Sequence, residues 1–187
     1  MILFPDKKYS IIYADPPWEY ADQKGNDPKM GGITYPVMKL QDIKDMPVQS
    51  ICNNDCALAL WATMPLLKEG IEVIEAWGFK YITCLFNWIK LNPTDTSNRF
   101  CITESDIYSG MGHWVNGNAE LCLLGKIGTP ARMVKDVKQV QMWPRGKHSA
   151  KPPQIRNEVV RLFGDLPRIE LFARQKIEGW DCWGNEV

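Results

Sequence analysis

The sequence predicts an α/β fold with a mainly parallel twisted sheet and helices on both faces. Three observations carry this. Several strand-length segments are apolar along nearly their whole length, as strands buried on both faces must be. Segments with helical spacing alternate with them, which is the pattern of crossover connections between parallel strands. The 187 residues, 45% apolar and 24% charged, are the size and composition of one globular domain, so residues 1–187 are expected to form a single unit.

In chain order, "YSIIYA" (9–14) is a short buried strand with Ile11 and Ile12 at its middle. The stretch Glu19–Pro36 is rich in Gly, Asp and Pro and lacks periodicity. A loop of that length within a compact domain predicts a mobile lid or substrate loop. "MKLQDIKDM" predicts a short helix stopped by Pro47, and "CALALWAT" a second buried strand. In "PLLKEGIEVIEAWGF", Leu67, Ile71, Ile74 and Trp77 recur at helical spacing, with Pro65 near the start and Gly78 at the end. "YITCLFNWIKL" is a third strand, followed by a polar, irregular stretch (92–113) expected to be a second substrate loop. "AELCLLGKI" and "QVQMWP" predict strands four and five. "KPPQIRNEVVRLFG" predicts a helix with Ile155, Val159 and Leu162 on one face and Gly164 at its end, and "RIELFAR" is the last buried strand.

Lys+Arg and Asp+Glu both total 22, so overall charge points to no partner. One segment is locally basic: Arg132, Lys135, Lys138, Arg145, Lys147, Lys151, Arg156 and Arg161 stand against only Asp136 and Glu158. Such a segment is either a phosphate-facing patch or a solvated face. Of six cysteines, Cys52 and Cys56 are spaced C-x3-C with no second pair, and the chain holds only His113 and His148, a poor basis for a metal site. No signal sequence begins the chain and no apolar run approaches about 18 residues, so a cytoplasmic setting without membrane contact is expected. No G-x4-G-K-[ST] loop supports a nucleotide hydrolase.

The chemistry concentrates in "ADPPWEY" at the end of the first strand, where ligands of parallel sheets bind. Pro16 and Pro17 fix φ near −65° and carry no N–H, so the turn is stiff and offers only carbonyls. Asp15 adds a second acceptor. Two acceptors on a rigid turn suit a nitrogen that donates two hydrogens, such as an exocyclic amine, and Trp18 supplies a flat face for a base. Hydrogen bonds to the Asp15 carboxylate and the Pro16 carbonyl would localise an aromatic amine's lone pair and aim it at a methyl donor. Methylation at cytosine carbon would need a thiolate in a Pro-Cys pair, which the sequence lacks. As a purely structural alternative, Asp-Pro-Pro makes a turn and Trp18 is a core residue.

"ADPPW" with Tyr20 behind it resembles the D-P-P-W signature of the N6-adenine methyltransferases related to the catalytic subunit of the mRNA adenosine methyltransferase. "GHWVNGNAELCLLGK", "HSAKP", "RIELFAR" and "WGNEV" resemble further segments of that family in the family's order, so the likeness covers nearly the whole chain. It implies a Rossmann-like fold in permuted order, with the catalytic motif before the cofactor strand, and S-adenosylmethionine as cofactor. By the same resemblance, Asp15 and Pro16 of the quartet Asp15, Pro16, Pro17 and Trp18 hold the target amine, and Trp18 and Tyr20 wall the base pocket. Asp15 also reaches the methionine part of the cofactor. Lys151, Glu170, Phe172, Arg174, Asn185 and Glu186 match cofactor-binding positions. Asn116 and Glu120 match positions near the target pocket, and Arg145, Lys147 and His148 lie in the basic stretch expected to face substrate. Glu170, on a buried strand, needs a polar partner, which is a ribose diol, an amino group, or a salt bridge to Arg168 or Arg174.

There are departures. Where eukaryotic members have His-Asn after the arginine, this chain reads "QKIEG", and their upstream cofactor contacts fall on "MILFPD", where Ile2, Leu3 or Asp6 would take over. The zinc-finger and long N-terminal regions of the eukaryotic enzymes are not matched, and the chain resembles compact bacterial and phage members more closely. The expected activity is therefore methylation of adenine N6 in DNA. The alternatives are the same chemistry on RNA, or a catalytically silent nucleic-acid-binding scaffold. The sequence leaves open whether two copies pair as a homodimer.

Overall fold

The structure, a computed structural model, describes residues 3–20, 36–93, 101–110, 112, 114–146 and 150–187. Residues 21–35 of the expected loop 19–36 and parts of the stretch 92–113 lie outside the described residues, as do Ile2, His113, Lys147 and His148. The strands are β1 (Tyr9–Ala14), β2 (Cys52–Ala62), β3 (Lys80–Leu91), β4 (Ala119–Ile127), β5 (Val140–Pro144), β6 (Arg168–Leu171) and β7 (Asp181–Trp183). The helices are α1 (Leu40–Lys44), α2 (Leu67–Ala76) and α3 (Pro153–Phe163). One seven-stranded sheet has the order β5-β3-β4-β2-β1-β6-β7.

The strands pair in parallel except that β4 runs antiparallel to both β2 and β3. The mainly parallel sheet thus holds, with one reversed strand that the sequence did not reveal. Leu121, Cys122 and Leu123 are buried whichever way the strand points, so their pattern carries no direction. Two further elements differ from expectation. β2 begins four residues before "CALALWAT", and β7 is a three-residue edge strand too short to leave a pattern. It is recruited by pairing with Ile169, Glu170 and Leu171.

Side chains alternate across the sheet into two cores. Ile12, Ala14, Leu58, Leu60 and Ala62 pack beneath α1 and α2 through Ile43, Val73, Ile74 and Trp77. Ile11, Tyr13, Ala57, Ala59 and Trp61 pack on the other face against Ile155, Val159, Leu162 and Phe163 of α3. Each fully buried Ile or Leu contributes roughly 1.5–3 kcal/mol, so both faces are firmly covered. α2 ends at Gly78 with φ +81 and α3 at Gly164 with φ +93, backbone angles that favour glycine. The connection from β1 to β2 carries α1 on one face, whereas α3 enters β6 from the other. Connections therefore diverge between adjacent strands β1 and β6, and a crevice opens at their carboxyl ends.

Candidate active site

Asp15 follows the last residue of β1 and Thr63 the last of β2. Because β4 is reversed, its beginning reaches the same edge and brings Glu120 there. Lys151 stands just before α3. The turn after Asp15 is pinned by its own backbone. Trp18 N–H donates to the Pro16 carbonyl at 2.9 Å, and Met38 N–H donates to the Pro17 carbonyl at 2.8 Å. The Trp18 indole N–H donates to the Trp61 carbonyl at 3.1 Å, and the Tyr20 hydroxyl donates to Thr63 Oγ1 at 3.2 Å. Trp18 is only 6% exposed, so it forms a fixed wall embedded in the core rather than an open stacking surface.

Alternating charges run along this edge. Lys151 Nζ donates to Asp15 Oδ2 at 2.7 Å and lies 3.3 Å from Glu120 Oε2, while Lys90 Nζ bonds Glu120 Oε1. The Lys151 ammonium also sits 5.4 Å from the Trp61 ring centroid. Burial alone would depress the Lys151 pKa, but Asp15 and Glu120 reverse this and raise it. For Glu120, burial acts upward and is outweighed by Lys151 and Lys90, so its pKa falls. Asp15 goes the other way: burial, abetted by the Glu120 charge, raises its pKa in spite of Lys151 and Arg174. Of the two carboxylates, Asp15 is the one whose ionisation is strained. A carboxylate in that position gains most from new hydrogen-bond donors.

Asp15, Pro16, Trp18, Tyr20, Trp61, Ala62, Thr63, Glu120 and Lys151 line a cavity of about 40 Å³. A water needs roughly 10–15 Å³ of such space, so the cavity admits a few waters. In this conformation the ammonium of Lys151 occupies Oδ2 of Asp15 at the cavity wall.

Beside this cavity, the ends of β6 and β7 form a second rim. Phe172 follows β6 with φ +61, a left-handed angle rare for an aromatic residue, and its ring meets Trp183 edge-on with centroids 5.8 Å apart. Ala173 N–H donates to the Trp183 carbonyl at 3.0 Å. A Cβ on Gly184 would meet the Ala173 oxygen at 2.4 Å, so only glycine permits this approach. Arg174, Asn185 and Glu186 are exposed there, with Arg174 Nε 3.9 Å from Glu186 Oε1. Phe4 packs on Trp183, and the Trp183 indole N–H donates to the Leu3 carbonyl at 3.2 Å. Leu3 was among the residues expected here; Phe4 was not. Asp6, the other described candidate, is exposed.

Glu170 has a partner that the sequence did not indicate. Its two carboxylate oxygens accept from Arg156 Nε and an Arg156 terminal nitrogen, both at 2.6 Å. In register with Tyr13, it faces α3 and is 6% exposed. It ties α3 to β6. The partner is neither Arg168 nor Arg174.

The basic segment is not one patch. Lys151 and Arg156 are committed to buried pairs, and Arg161 pairs with Glu158 and Asp136, the segment's only two acids. Reversed β4 delivers the chain to the opposite edge, where Thr129 N–H donates to Asp55 Oδ1 near the start of β2. Arg132, Lys135 and Lys138 follow on that side, and only β5 returns the chain to the site edge at Arg145. Asn116 is exposed in the segment leading into β4. Sequence reasoning missed Lys90, Trp61 and Thr63, and it named Arg156 without its partner Glu170. The available signal for Lys90 was a lysine within the apolar "NWIKL".

A model of the MT-A70 family matches residues 9–186. The chain is 34% identical to "Type II methyltransferase M.MunI" of a Mycoplasma species over 204 residues, covering 98% of this chain and 79% of that protein. It is 28% identical to the human "N(6)-adenosine-methyltransferase catalytic subunit METTL3" over 183 residues, covering 96% of this chain. Against the Arabidopsis thaliana "N(6)-adenosine-methyltransferase MT-A70-like" it is 26% identical, again over 96% of this chain. The chain spans only 28% and 24% of these two eukaryotic proteins.

Proposed function

The chain belongs to the MT-A70 family, and from that membership and the geometry at Asp15 we propose that it transfers a methyl group from S-adenosylmethionine to the N6 amine of adenine in DNA. The observation that carries this reading is the Asp15 carboxylate beside the Pro16 carbonyl on a backbone-pinned turn, at the mouth of a cavity walled by Trp18, Tyr20 and Trp61. The bound cofactor would supply an electrophilic methyl on a sulfonium. The donor set fits such a molecule: Asp15 for its ammonium, Arg174 for its carboxylate, Asn185 and Glu186 for its ribose hydroxyls, and Phe172 with Leu3 for its adenine. Glu170 has no part in this set.

The target amine donates one hydrogen to Asp15 and one to Pro16, which localises its lone pair for the methyl group that a bound cofactor would supply, and the proton the amine loses on methylation leaves through Asp15 to solvent. Lys151 yields the Asp15 oxygen to the amine and passes to Glu120, already 3.3 Å away. Lys90 keeps Glu120 in place to receive it. No covalent intermediate on the protein is needed.

DNA is the first reading because the sequence resembles the compact bacterial and phage members of the family, and the compact Mycoplasma methyltransferase matches over most of both chains. RNA is the second reading, favoured by the eukaryotic relatives, which are N(6)-adenosine-methyltransferases by name. An adenine in a duplex must leave the stack at a cost of a few kcal/mol, so unpaired sites react faster. Incubation with methyl-labelled cofactor and matched DNA and RNA oligomers, with mass spectrometry of the digested nucleosides, tests the assignment. N6-methyldeoxyadenosine is the expected product. N6-methyladenosine alone would move the substrate to RNA, and no methylated adenine in either pool would overturn the activity.

A further inference from the structure

The most exposed large apolar side chain among the described residues lies on the loop that leads into the strand carrying Glu120, on a segment the mechanism leaves unused. Trp114 is 98% exposed and its neighbour Val115 is 77% exposed. They belong to a loop closed at its base by a reciprocal pair: Gly110 N–H donates to the Gly117 carbonyl at 3.2 Å, and Gly117 N–H donates to the Gly110 carbonyl at 3.0 Å. Three residues beyond Gly117 comes Glu120, a wall of the cavity. The loop is thus anchored directly to the strand that carries the site.

A second flat group lies on the same edge. The Arg145 guanidinium is 4.0 Å from the centroid of the Tyr108 ring, and Arg145 is exposed. Both flank the end of β3. Tyr108 N–H donates to the Lys90 carbonyl, Arg145 N–H to the Leu91 carbonyl, and Lys90 N–H to the Asn118 carbonyl beside Gly117. An indole held in water and a cation stacked on a phenol are the two elements of single-strand recognition: a stacking face and a phosphate partner.

We infer that Trp114 stacks on a base neighbouring the target adenine while Arg145, held on Tyr108, meets the adjoining phosphate. This rests on the nucleic-acid reading above and adds a recognition surface to it. The occupant is a nucleic-acid strand rather than another protein, because the platform is continuous with the amine site and pairs its aromatic face with an exposed cation. Stacking on an indole tolerates any base, so the surface sets strand position rather than sequence.

The test is fluorescence anisotropy of a labelled adenine-containing oligodeoxynucleotide with S-adenosylhomocysteine present, for wild type, Trp114→Ala, Trp114→Phe and Arg145→Met. Calorimetry with S-adenosylhomocysteine alone and sedimentation of the free proteins accompany it. Trp114→Ala should weaken oligonucleotide binding roughly tenfold or more. Trp114→Phe should keep most of the affinity, and S-adenosylhomocysteine binding should not move. Arg145→Met should reduce the slope of log affinity against log salt by about one. Wild-type affinity in Trp114→Ala would overturn the inference, as would a loss of self-association in that variant, which would make the loop a contact between copies. Absence of oligonucleotide binding by the wild type would overturn the nucleic-acid reading and this surface with it.

Discussion

At the residue scale, two carboxylates a few ångströms from one lysine are tuned in opposite directions. Glu120 is held by Lys90 as well as Lys151 and ionises easily, whereas Asp15 is desolvated and shares Lys151 with Glu120. Ionised, Asp15 is the stronger acceptor and can take the amine's proton, so the acid limb of the pH–rate profile should lie above the ordinary aspartate range. Replacing Glu120 by Gln removes a negative charge that raises the Asp15 pKa, so the limb should move to lower pH. Lys151→Met removes the cation that lowers it, so the limb should move to higher pH. Single-turnover rates across pH check both signs; shifts in the reverse sense would mean that another group controls the limb. The "DPPW" quartet was legible in the sequence because its chemistry is local: acceptor, two rigid residues and a ring in four positions. The Lys151–Glu120–Lys90 chain was not, because its members come from the segment before α3, from β4 and from β3, and only the fold brings them together.

At the element scale, α3 is joined to β6 by the Arg156–Glu170 fork, whose side chains are 12% and 8% exposed. The sequence placed Glu170 on a buried strand but could not say which face it used. In a four-residue strand that choice depends on register with Tyr13, which is a tertiary fact. Removing one partner of a buried pair typically costs 3–5 kcal/mol, because the other charge is left desolvated. Glu170→Ala should lose about that much in urea denaturation while cofactor affinity changes little, and a double replacement by apolar residues, Glu170→Leu with Arg156→Met, should recover much of the loss. Unchanged stability with a large fall in cofactor affinity would return Glu170 to the ribose. The same dependence on pairing explains β7 and the reversed β4: burial patterns mark a strand but give neither its direction nor its neighbours.

At the scale of the whole molecule, the fold's contribution is convergence. Residues 15, 63, 120, 151, 172 and 186 are far apart in the chain, yet the divergence of connections between β1 and β6 and the reversal of β4 bring them to one edge. The fold class was readable because strand burial and helix spacing are local patterns. The split of the basic segment was not readable, since its residues fall on opposite edges only once the direction of β4 is known. The central claim is that the Asp15 carboxylate grips the amine that is methylated. The most direct test is single-turnover methyl transfer by Asp15→Asn, with S-adenosylhomocysteine affinity and thermal unfolding measured on the same preparation. Asparagine keeps the size but turns one acceptor into a donor, so the rate should fall by at least the 10²–10³-fold typical of losing one preorganised partner, in a folded protein. A variant that transfers methyl groups at the wild-type rate would contradict the account.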